Sequence, residues 1–345
     1  LGVEQPARPD PNAMKVSLLC RRPIEGFYSL ESYFERVCQS LMELGVDVEV
    51  NVSPYVSQGL RNRLKIIRFA REHQAEITHI SGDIHFAALG TDPAHTIVTV
   101  HDCGRLHQLR GLPREVLRQF WFQQPLQRIA AVTVISDAVK EDLLRWVPRL
   151  DPRRIHVVPV CISPHFTFAP APFNRNHPRI LQVGTSANKN IPRLLQALHG
   201  LDVTLVLIGR LTAELKQLLA EHQIRYENHC GISESEVVSL YRTADLVAFA
   251  STLEGFGMPI LEGQAVGRPV LTSNCTSMPA VAGDGAALVD PCSVASIREG
   301  LLRLIGDDTY RNELIERGRE NVKRFDSQAI AQRYLDVYRS VLRGS

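Results

Sequence analysis

The sequence has almost no excess of charge of either sign: 39 Lys and Arg stand against 37 Asp and Glu, a formal net charge of +2 over 345 residues. Wholesale nucleic-acid binding calls for a larger basic excess, so global charge argues against it. Nor does any apolar run approach the roughly 18 residues needed to span a bilayer. Aromatic residues make up only 6%, and the 22 glycines and 20 prolines follow no repeat, which excludes collagen-like and low-complexity chains. The seven cysteines (Cys20, Cys38, Cys103, Cys161, Cys230, Cys275, Cys292) are odd in number and contain no CxxC pair. Neither a disulfide framework nor a zinc site is signalled, and a reduced, cytoplasmic protein is expected. The opening residues LGVEQPARPDPN lack the apolar core of a signal peptide, and 1–13 read as a flexible leader.

What is present is an alternation of short β-branched runs and amphipathic helical patterns. Strand candidates are 15–20, 47–52, 95–100 and 130–136, then 155–160, 179–184, 203–209, 245–250 and 268–273. Several are apolar at consecutive positions, as parallel strands covered on both faces should be. Helical patterns lie between them at 31–44, 137–146, 190–199 and 234–243. The rhythm predicts an α/β fold of two doubly wound, Rossmann-like domains facing a cleft. It breaks at 164–178, PHFTFAPAPFNRNHP, where four prolines mark a linker. The expected domains are 14–163 and 179–326, and a last helix over 327–345 either packs locally or crosses back to the first domain.

The most informative stretch runs from Ser251 to Glu262, after the strand DLVAFA and before a helical pattern. Gly255 and Gly257 let backbone amides approach a ligand closely, and Pro259 suits a first helical turn. A helix starting here aims its unpaired amides and positive dipole end at an anion such as a diphosphate. Glu254 precedes the turn and Glu262 lies one turn into the helix, so both carboxylates can face one crevice at different depths. Read without further context, the same pattern also fits a capped helix with two solvated glutamates.

Glu254-Gly-Phe-Gly-Met-Pro-Ile-Leu-Glu262 resembles the E-x7-E signature of retaining nucleotide-sugar glycosyltransferases with the GT-B fold, family four. Val183-Gly184-Thr185 with Lys189-Asn190 looks like that family's phosphate-binding turn. Tyr241-Arg242-Thr243-Ala244-Asp245, Val266-Gly267-Arg268-Pro269-Val270, Val281–Gly285 and Val289-Asp290-Pro291 follow in the family's order. The resemblance is strong over the second domain and loose over the first. It implies that Glu254 contacts hydroxyls of the donor sugar and that Glu262 holds the ribose hydroxyls. By the same resemblance, the amides around Gly255, Phe256, Gly257 and Met258 line sugar and diphosphate, and Lys189 meets the departing phosphate. A leaving nucleoside diphosphate gains negative charge as the glycosidic bond breaks, and fixed cations and donors lower that barrier without a metal. No other cofactor is implied.

In one respect the sequence departs from the pattern. Thr185 stands where many relatives carry an arginine, and Arg210, at another strand end, is a candidate replacement. In the first domain His101 ends a buried strand where relatives place a histidine near the donor sugar. Gly26 sits where they keep a glycine-rich loop, and Ile232 follows Cys230-Gly231 where they touch the base through the backbone.

The implied reaction moves a hexose from a UDP- or GDP-linked donor to a hydroxyl of a glycan or lipid-linked acceptor, with retention. A non-catalytic sugar-nucleotide-binding scaffold and a glycoside hydrolase or phosphorylase are the alternatives. A dinucleotide oxidoreductase is disfavoured because no GxGxxG follows a strand. Residues 61–71 hold five cations and no acid, and 105–128 hold five arginines against Glu115 around Phe120-Trp121-Phe122. These basic segments fit an anionic membrane surface, a pyrophosphate-linked acceptor, or ordinary solvated helix faces.

Overall fold

The computed structural model describes residues 13–23 and 29–344. Gly26 and residues 1–12 of the expected leader lie outside the described residues. One compact unit holds the chain up to Cys161 together with the segment from Ser327, and a second holds Ile162–Asp326.

The first unit is built on β1 (Lys15–Cys20), β2 (Asp47–Val52), β3 (Ile77–Ile80), β4 (Thr96–Val100), β5 (Ala131–Val134) and β6 (Ile155–Val157). All pair in parallel, in the order β2-β1-β3-β4-β5-β6. Its helices are α1 (Ser29–Glu43), α2 (Leu60–Glu72), α3 (Gly104–Gln108), α4 (Gly111–Leu117), α5 (Gln124–Arg128) and α6 (Asp137–Trp146). A π-helical turn, Arg118–Gln123, joins α4 to α5. β4 is buried at every residue, as its β-branched run TIVTV demands of a central parallel strand. β3 has no counterpart among the expected strands: its sequence ITHI interrupts the apolar pattern, yet Thr78 and His79 are both buried. His79 is satisfied there by Tyr338 (Nδ1 to the hydroxyl, 2.8 Å) and Thr99 (Nε2 to Oγ1, 2.6 Å).

The second unit carries β7 (Arg179–Val183), β8 (Thr204–Ile208), β9 (Arg225–His229), β10 (Leu246–Phe249), β11 (Val270–Ser273) and β12 (Ala287–Val289). Its parallel sheet has the order β12-β11-β10-β7-β8-β9. Counted within the unit this is 6-5-4-1-2-3, the doubly wound order of dinucleotide-binding folds. The helices are α7 (Ile191–Leu198), α8 (Ala213–Glu221), α9 (Glu234–Thr243), α10 (Met258–Val266), α11 (Met278–Ala282), α12 (Val294–Gly306) and α13 (Asp308–Val322). β9 and β12, absent from the expected strands, are the two sheet edges, where a strand needs little apolar content. α9 starts in a capping box, with Ser233 and Glu236 each bonding the other's backbone.

The proline-rich segment 164–178 is tied into this second unit. Ala169 N–H donates to Val266 O, Asn174 N–H donates to Asp245 Oδ1, and Phe173 packs against the core between the sheet and its helices. After Asp326 the chain returns to the first unit as α14 (Ser327–Arg343), which buries Ile330, Tyr334, Leu335 and Tyr338 against α1 and the sheet.

Candidate active site

In the second unit the strand order reverses at β7, whose successors run one way along the sheet while β10 lies on its other side. Ligands of doubly wound sheets bind beyond the carboxyl ends of the strands at such a switch point. The two chain segments that leave β7 and β10 there are the Gly184–Asn190 turn and the Ala250–Gly257 turn.

They are bound to each other. Thr252 N–H donates to Asn188 O at 2.8 Å, and Asn188 Nδ2 donates to Leu253 O (2.9 Å) and Glu254 Oε1 (3.1 Å). Lys189 Nζ donates to the same Glu254 oxygen at 2.6 Å, with side-chain exposures of 17% and 13%. The ammonium also lies 4.5 Å from the centre of the Phe249 ring. Gly184 makes room for this lysine: its φ is +84°, and a Cβ there would sit 2.7 Å from Lys189 Cε. Asn190 takes the left-handed conformation (φ 57°) and ties the turn down by donating to Ala250 O and Pro291 O. Thr185 Oγ1 donates to Arg210 O at 2.7 Å, so those two residues meet through a backbone carbonyl while the Arg210 side chain stays exposed.

The second turn enters α10 through Gly257, whose φ of +111° only glycine adopts readily. Ser277 Oγ bonds Glu254 O (3.1 Å) and Phe256 O (2.7 Å), which fixes the turn from below. The Phe256 side chain is buried edge-on against Phe325, so only its backbone is available to a ligand. Gly255 and Met258 are half-buried on the same turn. Glu262, half-buried one turn into α10, accepts a 2.5 Å hydrogen bond from the Tyr241 hydroxyl of α9. Burial, with the Glu262 charge adding, pushes the Tyr241 hydroxyl well above its usual pKa, so it stays a donor and holds the carboxylate in one orientation. The contributions of Asn188, Tyr241 and Ser277 have no local signature: each acts on a residue 21 or more positions away.

The remaining expected residues lie on other segments of the chain. Ile232 is half-buried beyond β9, between Gly231 (φ +69°) and the Ser233 cap of α9. His101 lies in the first unit, just past β4, with its ring edge-on to Tyr33 and Phe34. Burial, followed by the nearby His85 and Arg21, pushes its pKa down to about 3, so the imidazole is neutral at pH 7. Its Nε2 is buried with no hydrogen-bond partner among the described residues. Among the described residues no group of three His, Cys, Asp or Glu is placed to hold a metal ion.

Two family models match this chain: "Glycosyl transferases group 1" over residues 166–321 and "Glycosyltransferase Family 4" over 34–166. The O-antigen chain mannosyltransferase B of Escherichia coli is 29% identical over 267 residues, covering 70% of each chain. The MMP alpha-(1->4)-mannosyltransferase of Mycolicibacterium hassiacum is 28% identical over 257 residues, 66% of this chain and 62% of that one. The structure of Anabaena HepE in complex with UDP and glucose superposes with a TM-score of 0.73 at 17% identity, over 95% of this chain and 100% of that one. The chain belongs to the family-four glycosyltransferases of GT-B fold.

Proposed function

We propose that this glycosyltransferase is a retaining hexosyltransferase that takes its sugar from a nucleotide diphosphate donor held by the second unit. The observation that carries the reading is the Lys189–Glu254–Asn188 cluster at the switch point, beside the start of α10. Two carboxylates held by separate partners suit separate hydroxyl groups, Glu254 those of the sugar and Glu262 those of the ribose. The amides of Gly255 to Met258 then face the diphosphate at the positive end of α10. Arg210 and Thr185 supply further polar contacts, Ile232 the contact to the base, and neutral His101 a hydrogen bond to the sugar.

In this scheme the acceptor hydroxyl attacks the anomeric carbon on the face from which the nucleoside diphosphate leaves. Its proton passes to the leaving phosphate oxygen. Lys189 meets the charge that develops on that phosphate, which is the type of fixed electrostatic stabilisation that lowers such barriers most. Two mannosyltransferases among the relatives favour mannose as the hexose. The basic, partly apolar surface of the first unit turns toward an anionic membrane or a membrane-borne acceptor, in the cytoplasm.

The test is thermal melting with GDP, UDP, ADP and dTDP, followed by product analysis with the sugar donors of the nucleotide that responds. A ligand at about 100 times its Kd stabilises by about 2.7 kcal/mol. One responding nucleotide and an α-linked product from an α-linked donor are expected. Binding without turnover on any acceptor would leave a scaffold, and hydrolysis as fast as transfer would leave a hydrolase. Activity is expected to survive a chelator; complete loss restored by manganese would refute the metal-free scheme.

A further inference from the structure

A cavity of about 480 Å³ opens in the first unit among the loop after β2, α2, α3, α4 and the π-helical turn. The loops after β2 and β4 leave the sheet at its carboxyl ends, and His101 follows the same strand that leads into α3. The size is that of a pocket for a small ligand. Most of its wall is apolar: Leu109, Leu112, Val116, Leu117 and Trp121 line it, with Ser57 and Gln58 as its neutral polar side chains. That is too few hydrogen-bonding groups to replace the water around a sugar.

The cations at this cavity are placed differently from ordinary surface arginines. Arg63 stacks over Trp121 with its guanidinium carbon 4.4 Å from the ring centre, and its buried Nε has no partner among the described residues. Arg105, exposed on α3, forms no ion pair among the described residues. Among the described residues no Asp or Glu lines the cavity, and Glu115 on α4 is engaged by Arg118 at 2.9 Å. Apolar side chains continue the pocket outward. Of the fifteen large hydrophobic residues exposed on the described chain, six (Val56, Leu60, Leu64, Leu112, Val116 and Phe120) fall in the segments that form this one region. A single-sign charge beside an apolar cavity and an apolar rim matches one ligand chemistry: an anionic head joined to a hydrocarbon chain.

We infer that this cavity is the acceptor subsite for a phosphorylated lipid. Arg63 and Arg105 hold the phosphate, and the chain lies along Leu109, Leu112, Leu117 and Trp121. The inference rests on the transferase reading above and narrows its acceptor from a glycan or lipid-linked molecule to a phosphorylated lipid, held here by its phosphate and chain while a hydroxyl elsewhere on the molecule is the attacking group.

The probe is 10-bromodecyl phosphate, kept below its micelle concentration, with quenching of Trp121 as the readout and Trp121→Phe as the blank. Saturable quenching is expected from the phosphate, with 10-bromodecanol at least about tenfold weaker, the margin of one charged hydrogen bond. Hexose 1-phosphate should fail to compete. The double variant R63A/R105A should lose about tenfold in affinity and its preference for phosphate over alcohol. Leu112→Ser, at an exposed position, should weaken both chain ligands alike. Equal binding of alcohol and phosphate, competition by hexose phosphate, or quenching only by brominated phosphatidylglycerol vesicles would each overturn the inference. Nucleotide melting shifts on the same samples separate the two readings. A shift that persists without decyl phosphate binding removes this subsite alone, whereas no shift removes the donor-site reading on which it rests.

Discussion

Replacing Lys189 by Met isolates the contact on which the proposed donor site depends. The Nζ–Oε1 distance is 2.6 Å and the side chains are 17% and 13% exposed, so the pair is neither solvated nor sealed. Breaking a fully buried pair costs about 3–5 kcal/mol, and breaking an exposed one about 0–1 kcal/mol. Between these limits, a charged hydrogen bond at this depth is worth about 1.5–3 kcal/mol. For a domain of about 150–250 residues each kcal/mol moves Tm by about 2–4 °C, so the transition of the second unit should fall by about 3–12 °C. Glu254→Gln should cost less, because Asn188 still has an oxygen to donate to. The double variant should be more stable than the sum of the single losses predicts, with a coupling of at least about 1 kcal/mol. Turnover reports the second role. Losing one fixed donor to a developing oxyanion costs about 10²–10³ in kcat, with a smaller change in donor affinity. The measurements are calorimetry on the four-protein cycle and initial rates against donor concentration. Additive stability losses within about 0.5 kcal/mol, or normal transfer by Lys189→Met, would refute the reasoning.

Tyr241→Phe removes the 2.5 Å hydrogen bond to Glu262 without opening a cavity, and should weaken nucleotide binding about 5–10-fold while moving Tm little; unchanged affinity by titration would detach Glu262 from the ribose. Gly184→Ala forces φ +84° on a residue with a Cβ that would meet Lys189 Cε at 2.7 Å, so about 1–3 kcal/mol of stability and most of the activity should be lost together; an active variant of wild-type Tm would contradict the packing. Burial pushes His79 down to about 3 and His85 to about 4, both from an ordinary value of 6.5. These imidazoles are neutral when folded and take up protons first in the unfolded chain, so their stability contribution is full above about pH 6.5 and is lost as pH falls toward 4. Each costs the first unit up to about 1.4 kcal/mol per pH unit in that window, and a Tm flat from pH 7 to pH 5 would exclude it.

Legibility in the sequence followed how local each determinant is. Central strands such as TIVTV announce themselves because burial on both faces demands consecutive apolar residues. β3 does not, since the partners that make His79 tolerable there, Thr99 and Tyr338, come from β4 and from α14 at the end of the chain. β9 reads RYENH because it is an edge, where Arg179 pairs across the sheet with Glu227. The same rule divides the site. Gly184, Lys189, Glu254 and Gly257 lie on turns whose glycines and spacing are visible locally. That Lys189 would find Glu254, 65 residues on, follows only from β7 and β10 being neighbours in the sheet.

Glu262 shows how far packing constrains a side chain once the helix is placed. α10 has no amphipathic stripe: seven of its nine residues are buried, and only Met258 and Glu262 are not. These two are four apart and so share one face. Beneath them, a Cβ on Gly263 would lie 2.9 Å from Val270 and 3.0 Å from Val247, so the helix rests directly on β11 and β10. Gln264 fastens the opposite side by donating to Ala282 O and Gly285 O and accepting from Asn321 of α13. A helix held this tightly cannot roll to hide a carboxylate. The single face it leaves open begins at its positively polarised end, and the Glu262 carboxylate on that face accepts a hydrogen bond from the buried Tyr241 hydroxyl. A solvated capping glutamate would need none of this, which is why the packing of α10 favours Glu262 as a ligand-holding residue.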